Sequence, residues 1–169
     1  MDSSRGPMIS TPVVAKHLLH QQKLKIVEAL FEKSPFNCYT GPAKPELLII
    51  TSSACFLYAE EAVEMLGLQK HIGILKLGTT WPLPQKLLGK YLRKTKKILI
   101  VEEVMSFLEE NVKVLASGMA GRIGVKTFFG KYDATLPAAG ELNPDIVAEA
   151  LGSILKVKRR ALPAKYLRD

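Results

Sequence analysis

From Glu46 onward, short unbroken apolar runs alternate with stretches in which apolar residues recur every three or four positions. Leu47-Leu48-Ile49-Ile50-Thr51 is uncharged and rich in branched side chains. Bounded by Pro45 and Ser52-Ser53, it predicts a buried strand. Over residues 54–66, Ala54, Leu57, Tyr58, Ala62, Met65 and Leu66 fall at helical spacing around Glu60, Glu61 and Glu64, and Gly67 stops the helix. A second strand is predicted over 72–77 and a third over 97–101, the latter built on Ile98-Leu99-Ile100-Val101. Between them, Pro84 suits the first position of a short basic helix reaching Arg93. Ser106 with Glu109 three residues on reads as a capping box for a helix to Ser117, and 123–127 reads as a fourth strand. Asn143-Pro144-Asp145 is a cap, proline and acid in the order that starts a helix, here running through 146–155.

Alternation of strand and helix at this spacing predicts a three-layer α/β/α fold with a mostly parallel sheet covered on both faces. Upstream, residues 12–33 predict a long amphipathic helix through Val13, Leu18, Leu24, Val27, Leu30 and Phe31. Residues 36–40 alternate weakly and lie too close to Leu47 for a parallel crossover, so they predict an antiparallel edge strand. The division expected is an N-terminal extension and helix over 1–34, an α/β domain over 35–155 and a basic tail over 156–169.

Charge changes this picture little. The chain of 169 residues carries a formal +8, but residues 86–97 hold +6 and residues 156–169 hold +5, which leaves the rest at −3. Only Tyr91 and Tyr166 interleave with those clusters, so the stacking platforms of single-strand binding are missing and nucleic acid is disfavoured. No apolar run approaches the roughly 18–20 residues of a membrane span. Two cysteines are too few for a disulfide scaffold or a four-ligand metal site, and a reducing, cytoplasmic setting is expected.

Candidate chemistry is sparse. His17 and His20 stand at i and i+3 without neighbours to complete a metal shell, and they read as solvent-facing. Cys55 at a helix start has some claim to a lowered thiol pKa, but with no histidine partner evident a structural role is favoured for it and for Cys38. The turn Ser52-Ser53-Ala54-Cys55 could present N–H groups and hydroxyls to an anion, or serve only as a helix cap, the favoured reading. Gly118 to Gly124 precedes a strand instead of opening a helix, which is the wrong context for a dinucleotide fingerprint. Glu102-Glu103 follow the third strand directly, where open α/β sheets place function; either burial against a neighbouring domain or local capping accounts for them. Trp81, between Thr80 and Pro82, suits an interface anchor or a cover for the sheet edge.

The run Ile72-Gly73-Ile74-Leu75-Lys76-Leu77-Gly78-Thr79-Thr80-Trp81-Pro82-Leu83-Pro84 resembles the large (alpha) subunit of indolepyruvate ferredoxin oxidoreductases. The same family is suggested by Ile49-Ile50-Thr51-Ser52, Val101-Glu102-Glu103-Val104, Phe107-Leu108-Glu109-Glu110 and Gly140-Glu141-Leu142-Asn143-Pro144-Asp145-Ile146-Val147. Ser34-Pro35-Phe36-Asn37 and Pro163-Ala164-Lys165-Tyr166-Leu167 are similar to its flanking connections, so the resemblance covers roughly residues 12–168. It implies a domain like the transketolase C-terminal domain, with five strands and one antiparallel edge. It further implies a parent complex that decarboxylates arylpyruvates on thiamine diphosphate with magnesium, passes the acyl group to CoA and reduces ferredoxin through 4Fe-4S clusters.

The family's Gly-Asp-Gly and Cys-x-x-Cys motifs do not occur in this chain, so no catalytic, cofactor-binding or metal residue is carried over. Ser53 stands where relatives commonly have glycine. The resemblance therefore implies a non-catalytic, intermediate domain, present as a fragment or split-gene product and inactive alone. Its expected partners are the thiamine-binding domains and the beta subunit, with self-association open to a surface left uncovered. The candidate functional edge is Thr79, Thr80, Trp81, Glu102 and Glu103, with Ser52, Ser53, Ala54 and Cys55 as a weaker anion site. A stand-alone α/β module binding a protein partner or small anion is the alternative.

Overall fold

The computed structural model describes residues 10–157, with side chains from Val13 onward. Five strands form one sheet: β1 Cys38–Thr40, β2 Leu47–Thr51, β3 Ile72–Lys76, β4 Lys97–Val101 and β5 Thr127–Phe129. Their order is β1-β3-β2-β4-β5. β2 pairs parallel with β3 and β4, β4 pairs parallel with β5, and β1 runs antiparallel to β3 with Tyr39 opposite Leu75. The predicted antiparallel edge strand is therefore present.

Every residue of β2 is buried, because helices cover both faces of the sheet. Leu47 and Ile49, with Ile72, Ile74, Leu99 and Val101, face α2 (Cys55–Met65) and α6 (Pro144–Leu155). Leu48 and Ile50, with Leu75, Leu77, Ile98 and Ile100, face α3 (Gln85–Leu92) and α4 (Phe107–Gly118). A continuous apolar run is what a strand with two buried faces requires. Each fully buried Leu or Ile contributes about 1.5–3 kcal/mol relative to exposure. α6 starts as its sequence predicts: the Asn143 side chain accepts from Ile146 N at 3.0 Å and Pro144 follows.

Three details differ from the expectation. The fourth strand is Thr127–Phe129, and Ala120–Ile123 forms a short helix, α5. Buried Ile123 is drawn into the α3–α4 layer, and pairing resumes only where Thr127 meets Lys97. Pro84 is the residue before α3 (φ −74°, ψ 86°), not its first residue. The long helix α1 spans Ser10–Phe31, and its predicted stripe is split. Leu24, Val27 and Phe31 are half-buried, whereas Val13, Leu18 and Leu30 face solvent. The first nine residues and most of the basic tail, from 158 on, lie outside the described residues. No described helix is long and apolar enough to cross a membrane.

Candidate functional site

The connection leaving β2 turns toward β3, while the one leaving β4 turns toward β5. The crevice outside the carboxyl ends of β2 and β4 is thus the topological switch point of the sheet, where open α/β folds place ligands and contacts. Three loops gather there, carrying Ser52–Ala54, Gly78–Pro84 and Glu102–Ser106.

Asn37 fixes the middle loop. Its Oδ1 accepts from Gly78 N at 2.9 Å and Thr79 N at 3.1 Å, and its Nδ2 donates to Thr79 Oγ1 at 2.7 Å and to Phe31 O at 2.9 Å. The end of α1, the start of β1 and the loop after β3 are thereby tied to one side chain. Gly78 is required by this approach: a Cβ there would lie 2.5 Å from Phe36 Cβ and 2.8 Å from Phe36 O. Thr79 is consequently committed to the frame, and half-buried Thr80 lines a cleft. Trp81, joined to Pro82 by a cis peptide, is 59% exposed and meets Phe107 edge-on with ring centroids 6.0 Å apart.

The third loop is held by Glu102. Its carboxylate accepts from Leu108 N at 2.6 Å and Glu109 N at 2.8 Å, so it caps α4 from outside the helix. Local capping is therefore the observed role for Glu102. The Ser106–Glu109 capping box does not form: Ser106 makes no side-chain cap bond. Glu109 is turned inward to accept from Lys113 Nζ at 2.6 Å and Lys131 N at 2.8 Å. Burial pushes the Glu102 carboxyl above the ordinary carboxylate range, against the downward pull of its two N–H bonds. Glu103 is half-buried and accepts from Leu142 N at 3.3 Å. Next to it, Val104 sits in the left-handed region at φ 60°, which a β-branched residue rarely adopts. Lys131 Nζ, 2.8 Å from Val104 O, holds that carbonyl. The turn leaves Val104 and Met105 each 77% exposed, and the Met105 carbonyl accepts from the N–H of Phe107, the residue that meets Trp81. Strain of this kind concentrates at functional loops.

The first loop differs from its expected role as a cap. α2 has no side-chain cap bond, and Ala54 precedes it in helical conformation with Ser53 at φ 52°. Cys55 is buried, and burial together with the nearby Glu103 charge pushes its thiol up to about 11. It is a protonated core thiol at neutral pH, so its claim to reactivity fails. A cleft of about 560 Å³ opens between this loop and β1, lined by Phe36, Cys38, Ser52, Ser53, Lys76 and Thr80. Lys76 Nζ lies 4.6 Å from the centre of the Phe56 ring. Thr51 Oγ1, fully buried at the end of β2, has no hydrogen-bond partner among the described residues. On α1, His17 and His20 are exposed. Among the described residues no group of three His, Cys, Asp or Glu is placed to hold a metal ion.

The structure thus brings Thr79, Thr80 and Trp81 to the same edge as Glu102 and Glu103, with Ser52–Cys55 alongside. It adds Asn37, Val104, Met105 and Phe107, which residue types alone did not single out. Asn37 lies in the connection Ser34-Pro35-Phe36-Asn37, but the loop it holds, through Gly78 and Thr79, is 41 and 42 residues away.

A family model described as the indolepyruvate oxidoreductase domain matches residues 37–164. The indolepyruvate oxidoreductase subunit IorA of Methanothermobacter thermautotrophicus is 33% identical over 150 residues, 86% of this chain and 23% of that subunit. The subunit of the same name from Pyrococcus horikoshii is 42% identical over 86 residues, 51% of this chain and 13% of that subunit. Among solved structures, a split-gene transketolase described as an inactive beta4 tetramer shares the fold. Its TM-score is 0.52 at 21% identity, over 72% of this chain and 43% of that one. The chain spans less than a quarter of the length of these two curated relatives. With the mixed five-stranded sheet and the match across most of its length, the chain belongs to the indolepyruvate oxidoreductase domain family.

Proposed function

We propose that this chain is the intermediate, non-catalytic domain of a thiamine-diphosphate-dependent 2-oxoacid:ferredoxin oxidoreductase alpha subunit acting on indolepyruvate or another arylpyruvate. In that reading the parent complex converts a 2-oxoacid and CoA to acyl-CoA and CO2 and passes electrons to ferredoxin. This domain packs on the thiamine-binding domains and supports association with the beta subunit. The observation that carries the reading is the exposed apolar corner of Trp81, Val104, Met105 and Phe107 at the carboxyl edge of the sheet. The Asn37 and Glu102 bonds hold that corner rigidly, which lowers the ordering cost of docking. Partial coverage of the relatives supports a role inside a longer machine.

The donor set does not fit an iron–sulfur centre. Such a cluster takes four thiolates, whereas this chain has two cysteines, one exposed and one buried with a raised pKa. Glu102 and Glu109 are already committed to backbone N–H groups. No step of the reaction is therefore assigned to these residues.

Co-expression of this chain with the remaining segments of an indolepyruvate oxidoreductase tests the proposal. Trp81→Ala with Met105→Asp should abolish co-purification and indolepyruvate-dependent ferredoxin reduction, while circular dichroism of the isolated chain stays unchanged. Undiminished assembly and turnover would sink it. The cleft beside Lys76 favours a second reading, a small-anion site. Phosphate or a short carboxylate should then raise the Tm of the isolated chain, and Lys76→Met should remove that rise.

A further inference from the structure

A second concavity adjoins the apolar corner on the side away from α2. Trp81 and Val114 wall it, Leu83, Leu115 and Met119 floor it, and Arg122 of α5 closes its far end, in a volume of about 410 Å³. Gly89 of α3 lies beneath that floor: a Cβ there would lie 2.6 Å from Met119 Cε and would push the end of the Met119 side chain aside. Trp81 is 59% exposed and Val114 is 69% exposed.

We propose that this groove receives an acidic amphipathic segment of a partner polypeptide, with an apolar side chain on Met119 and Leu115 and a carboxylate on Arg122. The inference rests on the reading of the neighbouring edge as an interface and adds the chemistry of what meets it. Charge selects the occupant. Arg122 is exposed and forms no ion pair among the described residues. α3 carries Lys86 and Lys90, both exposed, and no acid. Glu110 of α4 lies one turn before Val114 and is exposed. An apolar floor whose lining carries Arg122 as its one charged side chain discriminates through both its attractive and its repulsive contacts: it takes an acidic helix and repels a basic one.

Trp81 is the only tryptophan in the chain and reports directly on the groove. The full chain would be titrated with a synthetic helix of Leu and Glu, its leucines at i, i+3, i+4 and i+7, and with a matched helix carrying Lys for Glu. The acidic peptide should shift Trp81 emission to the blue saturably and bind about tenfold or more tightly than the basic one. Added salt should weaken it. Arg122→Glu, at an exposed position that leaves the fold intact by circular dichroism, should erase or reverse the preference. Equal binding of the two peptides, no saturable shift, or an unaltered preference in Arg122→Glu overturns the proposal. So does a Trp81 shift that follows protein concentration without peptide, which would assign the groove to a second copy. The titration needs no parent complex, so failure here beside a Trp81-dependent assembly removes the groove's chemistry and leaves the interface standing.

Discussion

Replacing Glu102 tests the strongest electrostatic feature of the edge. Its carboxylate is 7% exposed and accepts two N–H groups, both from residues that are themselves 1% exposed. Glu102→Ala leaves two buried donors without an acceptor. At about 1–3 kcal/mol for each unsatisfied group, less the relief of a buried charge, the loss should be about 2–4 kcal/mol. For a domain of this size that lowers Tm by roughly 5–15 °C. Glu102→Gln keeps the shape and one acceptor and should cost less, about 1–2 kcal/mol near neutral pH.

The pH dependence carries the sharper test. Because burial raises the folded carboxyl above its unfolded value, the folded state takes up the proton first as pH falls. Glu102 therefore contributes most stability below the ordinary carboxylate range, and that contribution is lost as pH rises through the raised folded pKa. Urea unfolding of wild type and Glu102→Gln, followed by far-ultraviolet circular dichroism from pH 4 to 8, should show a difference that narrows as pH rises. A difference that widens with pH would mean that the two N–H bonds outweigh burial, and the account given for this carboxylate would be wrong.

Four other outcomes are expected. Asn37→Ala should cost about 1–3 kcal/mol by releasing Gly78, Thr79 and the end of α1 together, visible as faster amide exchange in the 78–82 loop. Val104→Gly should leave stability level or raise it by up to about 1 kcal/mol, because glycine tolerates φ 60°, while weakening association with the parent segments. Thr51→Val should raise the urea midpoint, by about 1 kcal/mol of stability, since it removes a buried hydroxyl with no partner among the described residues; a clear loss would show that the hydroxyl is satisfied. With a thiol reagent at pH 8, exposed Cys38 should react promptly and Cys55 only on unfolding, read as one thiol before urea and two after.

Local pattern carried the central elements. β2 and β4 lie on the residues predicted because Leu47-Leu48-Ile49-Ile50 and Ile98-Leu99-Ile100-Val101, uninterrupted branched apolar runs, have no other stable place than a doubly covered strand. α6 begins at Asn143-Pro144 because a cap and a fixed φ act within four residues. Where the outcome depended on distant groups, local reading failed. Glu109 has the spacing of a capping partner, yet the backbone N–H of Lys131, 22 residues on, takes its carboxylate, and Glu102 caps the helix instead. Ile123 to Thr127 alternates like a strand, but burying Ile123 against the α3–α4 layer turns it into a helical end.

The order of apolar runs and amphipathic stretches was by itself enough to determine a parallel α/β sheet with an antiparallel edge, because side-chain period and run length fix which faces are buried. The family resemblance was equally legible, since it lies in contiguous residues. Only the tertiary structure decided that Asn37 clamps the loop bearing Trp81, that Val104 and Met105 are turned outward, and that Arg122 faces a groove floored by Met119. Those outcomes depend on hydrogen bonds and close approaches between residues tens of positions apart, and short-range sequence pattern carries no information about them.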